Sequence, residues 1–313
     1  MVTVQEFDTL ASQVSNWGKW GKGDQCGTLN FITPEVMRKA SAAVVSGEAF
    51  TLAMDLSWDG PQDNDGVPGR INPVRTMLAV NAYSYFSPPG SPHAVAFNDD
   101  IVVTPTQTGT HWDALAHVSH RGHMYNGVPA DAVTAAGAGA LGIESLGVIV
   151  SRGVLLDVAR HRGAGCLPRK FPITRAVLEE VEGAQGQPVE EGDIVIVRTG
   201  LGQFYLDRDI PGYRKNVAAL DYDAPLFLHE RRAAAAAIDN MPMELLPPNV
   251  DEVGMPVHIL CLVMMGMPMG ENFVLEDLAR ACTRDRRYSF LLSATPERFV
   301  NSTGGMVNPV AVR

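Results

Sequence analysis

Gln107-Thr-Gly-Thr-His111-Trp-Asp113-Ala-Leu-Ala-His117 packs two imidazoles, a carboxylate and a side-chain amide into one short stretch. Such density points to a metal centre. In extended backbone His111 and Asp113 leave the same face roughly 6–7 Å apart at their Cα atoms, close enough to share one cation. His117 lies four residues past Asp113. A helical turn would bring it back over the same side, whereas continued extension would carry it too far to ligate, and either course leaves all three bordering one pocket. The Thr104-Pro-Thr-Gln-Thr-Gly-Thr110 stretch is turn-forming, and Gly109 gives a loop the freedom to wrap its side chains around an ion.

An ion held only by His111 and Asp113 would bind weakly, so further donors are needed downstream. His258 opens an apolar run, and Glu271 follows Gly266-Met-Pro-Met-Gly270, where a carboxylate is costly without a partner. Their structural alternatives are a hydrogen-bonded core histidine and a helix N-terminal carboxylate ahead of residues 274–278. His120 and His123 read as pocket rim or solvated loop, because Arg121, Asn126 and two glycines mark an exposed turn. Trp112, with Trp58, Tyr83, Tyr85 and Phe86 upstream, could wall a pocket for an aromatic or cyclic substrate, or serve as ordinary core and loop aromatics. Imidazole and carboxylate donors without thiolate suit a divalent metal, Zn²⁺ first and Mn²⁺ as the alternative. A water at an open position of such a site would become acidic enough to attack a carbonyl, and His117 could carry its proton.

The rest of the chain must position these groups. Its 313 residues can bury a large core, and 46% hydrophobic with 19% charged residues is ordinary for a globular enzyme. A net charge of −10 without a Lys/Arg cluster argues against a nucleic-acid partner. The N-terminus shows no basic-then-apolar leader, so a cytoplasmic protein is expected. Pro256, His258, Gly266 and Pro268 break the apolar run over 253–269 too often for a membrane span. The four cysteines form no Cys-x-x-Cys pair.

Periodicity predicts an N-terminal arm over 1–50 with a helix over 34–45, then a strand over 49–56 and a long loop over 59–75. A short strand ahead of Thr104 would place the histidine cluster at a strand end. Further on come a helix opening at Ala130, a strand over 153–157, a helix over 173–181 capped by Thr174, and a β-prone stretch over 194–199. A helix over 226–237 with Pro225 in its first turn, and strands over 237–239 and 258–263, complete the pattern. Gly137-Ala-Gly-Ala-Leu-Gly142 has the spelling of a dinucleotide loop but follows no strand, so that reading is rejected. The expected fold class is α/β, a mixed β-sheet core with surrounding helices, in a single domain over 1–313.

Gly109-Thr-His111-Trp-Asp113-(x)3-His117 resembles the His-x-Gly-Thr-His-x-Asp-x-Pro-x-His signature of the cyclase family of metal-dependent hydrolases, which includes bacterial kynurenine formamidase and isatin hydrolase. Residues 20–30, Arg152-Gly-Val-Leu-Leu-Asp157, Gly192-Asp-Ile-Val-Ile-Val-Arg-Thr-Gly200, Gly270-Glu-Asn-Phe273 and 304–311 are similar to longer members across most of the chain. The resemblance implies a swivelling β/β/α-like fold, metal ligation by His111 and Asp113, completed by His258 and Glu271, and a catalytic role for His117, with Glu271 also near the chemistry. It implies a homodimer or homotetramer acting on a small-molecule substrate. Two departures are Gln107 in place of the first signature histidine and Leu115 in place of the proline. Gln107 offers a carbonyl oxygen, a weaker ligand than imidazole. The expected activity is hydrolysis of an aryl-formamide or cyclic amide. Lactone opening, its dehydrating reverse, and ligand binding without turnover are the alternatives. No Gly-x-Ser-x-Gly elbow supports a serine hydrolase.

Overall fold

The computed structural model describes residues 2–62 and 69–313. Its centre is a nine-stranded mixed sheet, giving the expected α/β class. In chain order the strands used below are β1 (Ala49–Thr51), β2 (Val74–Tyr83), β3 (Ala96–Val103), β4 (His111–Asp113), β5 (Val150–Asp157), β6 (Ile194–Arg198), β7 (Ala235–Ile238), β8 (Met269–Glu271), β9 (Ser289–Ser293), β10 (Gly304–Met306) and β11 (Val310–Val312). The sheet order is β1-β11-β9-β5-β6-β7-β8-β4-β10. β5 through β8 run parallel, while β4 is antiparallel to both β8 and β10.

The parallel centre explains the run Ile194-Val-Ile-Val-Arg198, which is buried along its whole length. A parallel strand covered on both faces has no solvent side to alternate with. Burying each such aliphatic side chain contributes about 1.5–3 kcal/mol. The helix Arg175–Gln185 packs beside this centre. Thr174 caps it by accepting a hydrogen bond from the Val177 N–H, and Gly186 ends it in the left-handed conformation.

Two expected elements are reversed. The alanine run inside the expected 226–237 helix belongs to β7 instead, after a helix of only Ala224–Glu230. Alanine's helix propensity is worth a few tenths of a kcal/mol per residue, and the demand for small side chains between β6 and β8 outweighs it. The apolar stretch after His258 is helical, Pro256–His258 continuing into a π-helix over Ile259–Met265. A fully buried run carries no periodicity to separate strand from helix. Elsewhere the helix expected over 34–45 spans Pro34–Ser41, the strand expected over 49–56 stops at Thr51, and only a short 3-10 turn forms at Ala130–Ala132. Of the loop expected over 59–75, residues 63–68 lie outside the described residues, and Val74 already opens β2. β2 pairs with β3 as an antiparallel ribbon whose residues are almost all exposed. Gly137–Ala138 sits in a two-residue hairpin rather than at a helix start, consistent with no dinucleotide loop. No helix among the described residues is long and apolar enough to cross a membrane.

Candidate metal centre

Strand pairing assembles the site. β4 carries His111 and Asp113, and its register with β8 sets Glu271 directly opposite His111. Alternation along β4 then sends both His111 and Asp113 to the face that Glu271 shares. All three are buried, and their ligand atoms lie within 4.8 Å of one another. His111 Nε2 stands 3.7 Å from Asp113 Oδ1 and 3.6 Å from Glu271 Oε2. Those separations are too long for hydrogen bonds. They suit a shared cation, since tetrahedral ligands about 2.0–2.2 Å from an ion stand roughly 3.3–3.6 Å apart.

The tautomer of His111 is fixed. Its Nδ1 faces the Gly109 carbonyl at 2.8 Å, and a carbonyl only accepts, so Nδ1 carries the proton and Nε2 presents a lone pair to the cluster. Both His111 Nε2 and Asp113 Oδ1 are buried without a hydrogen-bond partner. Buried polar atoms are rarely left so. Two orphaned donors of complementary type, converging with a third carboxylate, are what a divalent ion would satisfy. Asn272 holds the loop by donating from Nδ2 to the same Gly109 carbonyl at 3.0 Å. Thr110 Oγ1 donates to the Asn272 carbonyl and accepts from the Met54 N–H.

His258 and His117 flank this trio. His258 Nε2 is 4.0 Å from Asp113 Oδ2 and 3.8 Å from Glu271 Oε1. A turn after Asp113, closed by the His117 N–H donating to the Ala114 carbonyl, brings His117 Nε2 to 3.7 Å from Asp113 Oδ1. His117 remains partly open to the cavity while the others are sealed. Gln107 is not turned to the trio. Its Oε1 accepts from the Thr106 hydroxyl at 3.0 Å, and its Nε2 donates to Thr303 Oγ1 at 3.1 Å and lies 3.4 Å from His117 Nδ1. The expected carbonyl ligand is therefore, in this structure, a support for His117. A Cβ on Gly304, which pairs with Asp113, would strike that amide at 2.5 Å, so a larger residue there would displace the Gln107 side chain.

The electrostatics follow from burial and crowding. Burial lowers the basicity of His111 and His117, with Asp113 only partly restoring it. Asp113 is pushed up by burial, but the surrounding imidazoles outweigh this and hold it below the usual carboxylate range. Glu271 is raised to about 7 by burial and by Asp113 beside it. Burial opposes a charge on His258, yet the hydrogen bond and charge of Glu244, with Glu271 and Asp113, overcome it and raise His258 to about 9. Protons thus occupy the cluster near neutrality, and a bound cation would displace them.

Glu244 is a residue the sequence reading missed. Fully buried, it places Oε1 at 2.7 Å from His258 Nδ1, while Oε2 accepts from the Val257 N–H at 3.0 Å. It therefore sets a carboxylate against the ring and holds the start of the helix that carries it. Its signal was the one used for Glu271, a lone carboxylate in the apolar stretch Met241-Pro-Met-Glu-Leu-Leu-Pro-Pro248. Glu244→Gln should weaken divalent-metal affinity by about 10- to 100-fold while the protein stays folded, as loss of a carboxylate behind a ligating imidazole does. Calorimetric metal titration checks this, and unchanged affinity would remove Glu244 from the site.

A cavity of about 700 Å³ opens above the trio, bordered by Asp113, His117, His258 and Glu271 on one side and by Met241 and Leu246 on another. The expected aromatic wall is not part of it. Trp112 is fully buried on the opposite face of β4, edge-on to Phe273 at 5.6 Å, its Nε1 donating to the Ala294 carbonyl at 2.7 Å. Tyr83 ends β2, and Tyr85 and Phe86 lie in the exposed turn that follows it, Phe86 at 92% exposure. Trp58, 80% exposed, borders a separate shallow depression near Ile71. His120 and His123 lie outside the cavity lining, His123 on the surface.

No curated protein sequence matches the chain. A solved structure described as a novel cyclase is 36% identical with a TM-score of 0.84, covering 96% of this chain and 99% of its own. Isatin hydrolase A from Labrenzia aggregata shares the fold at 17% identity and TM-score 0.61, over 87% of this chain and 94% of its own. A predicted metal-dependent hydrolase from Bacillus stearothermophilus does so at 16% identity and TM-score 0.53, over 84% and 97%. The family model described as "Putative cyclase" matches residues 42–244, which include the His111-to-His117 segment. With that match spanning well over half its length, the chain belongs to the cyclase family.

Proposed function

We propose that the protein is a metal-dependent hydrolase that cleaves the C–N bond of a small amide, an aryl-formamide or a cyclic amide. The observation that carries this reading is the sealed trio of His111, Asp113 and Glu271, with orphaned donor atoms, beside a partly open imidazole. Zn²⁺ is the proposed ion and Mn²⁺ the alternative, from the mixed nitrogen and oxygen donor set. A divalent cation held there supplies Lewis acidity toward a carbonyl oxygen and lowers the pKa of water.

The chain's own part is proton management. Burial holds down the basicity of His117, and with its ring proton on Nδ1 and the Gln107 oxygen turned to that proton, its Nε2 can accept a proton from an attacking water and then give it to the departing nitrogen. The balance closes: hydroxide adds to the carbonyl carbon, the C–N bond breaks, and the amine leaves protonated. Gln107 suits this cycle. An amide can turn either its oxygen or its NH₂ to His117 Nδ1, and the Thr106 and Thr303 hydroxyls, which donate or accept, tolerate both orientations. Family membership and the fold shared with isatin hydrolase support the reading.

The test is a panel of N-formyl aryl amines, cyclic amides and lactones offered to metal-loaded protein. Turnover of an amide at least about tenfold better than any lactone, abolished by chelation, is expected, a margin of roughly 1.4 kcal/mol in the barrier. Turnover of lactones alone would move the reading to C–O cleavage, and no turnover of any would refute it.

A further inference from the structure

Arg70 borders the same cavity as Asp113, His117, His258 and Glu271. No carboxylate among the described residues lies within ion-pair distance of it, and its recorded contact is Nη1 to the thioether of Met241 at 3.4 Å. A thioether is a weak acceptor and neutralises nothing. A half-buried guanidinium beside a mainly apolar wall of Met241, Pro242, Leu246 and Met255 loses hydration, and among the described residues no carboxylate pairs with it directly. That is unusual in a chain with net charge −10, where carboxylates are plentiful.

The backbone next to Arg70 is tied down. The Thr108 hydroxyl donates to the carbonyl of the next residue, Ile71, at 3.2 Å, tying this backbone to the loop that leads into His111. Asn72 accepts from the Gln62 N–H at 3.0 Å and donates to the Gly60 carbonyl at 2.9 Å. On the same rim Arg214 donates to the Pro61 and Gln62 carbonyls. With a divalent cation offsetting Asp113 and Glu271, the guanidinium leaves the cavity with an excess of positive charge.

Resting on the hydrolase reading for the identity of the scissile bond, we infer that Arg70 forms an anion subsite, and that the substrate carries a carboxylate in addition to the bond that is cleaved. The carboxylate end meets the planar fork of Arg70, for which two parallel N–H···O bonds are the natural geometry. An apolar body lies along Met241 and Leu246. The reacting carbonyl meets the His111 cluster.

Benzoate and its neutral counterpart benzamide are the probes, titrated calorimetrically into metal-loaded wild type, Arg70→Met and Arg70→Lys, with melting curves to verify folding. Benzoate should bind wild type at least about tenfold more tightly than benzamide, and Arg70→Met should lose about 10- to 100-fold in benzoate affinity, the range for a charge-assisted hydrogen bond. Arg70→Lys should keep part of the preference, so a methionine variant that fails to fold does not remove the test. Equal binding of the two probes to wild type overturns the subsite. Benzoate affinity that survives in Arg70→Met also overturns it, because the carboxylate then sits on the cation alone. These titrations need no turnover: a protein that hydrolyses nothing yet discriminates the probes through Arg70 sinks the hydrolase reading and keeps the subsite, and amide turnover without discrimination does the reverse.

Discussion

Replacing His111 by alanine is expected to strip the divalent ion and turnover together, weakening metal affinity by more than the roughly 100-fold upper range for residues behind the ligands. The imidazole is fully buried, its Nδ1 is tied to Gly109, and its Nε2 serves no protein partner. Its removal therefore takes away a donor without breaking a side-chain pair elsewhere. Elemental analysis of wild type and variant at matched purity decides the matter, and stoichiometric metal in His111→Ala would dissolve the proposed centre. A pH series on the wild type gives the same answer from another side. Glu271 and His258 sit near 7 and 9, and each ligates only when deprotonated, so metal affinity should climb as pH rises through that window and fall below pH 7 as protons compete. Affinity independent of pH between 6 and 9 would contradict the cluster's electrostatics.

His117→Ala should behave differently, keeping its metal while kcat drops by about 10²- to 10⁴-fold, the range for loss of a general acid–base group. The distinction is geometric. His117 approaches Asp113 but stands outside the compact trio, and of the groups bordering the cavity it is the most exposed. Full metal content with turnover within a few-fold of wild type would remove its proton-transfer role. Concurrent loss of metal would instead make it a ligand.

Much of the site was legible in the sequence because its spacing is the spacing of a strand. His111-Trp-Asp113 has the period of two that an extended chain requires, and β4 is such a strand. The same period should have removed Trp112 from the pocket, since a residue between two that face the cavity must face the core. The glycines opposite it agree: a Cβ on Gly270 would press into the indole at 2.9 Å. The approach of His258 to the trio was legible as a polar residue in apolar surroundings, although the element carrying it was not. Buried runs such as Ala233–Ala237 and Ile259–Met265 reverse expectation because both faces are covered and no alternation survives. Glu244 and Arg70 escaped for another reason. Each acts through a neighbour distant in sequence, and neither spacing nor composition records which loop lies against which.

The pairing of β4 with β8 has one more consequence. Because His111 answers Glu271 across a single rung of the ladder, sliding either strand by one residue would turn its ligand toward the core and bring an indole or a glycine into the ion's place. Metal uptake would thus report strand alignment: a chain that zips up out of step would have nowhere to put the ion, and only the correctly threaded form would be trapped by it.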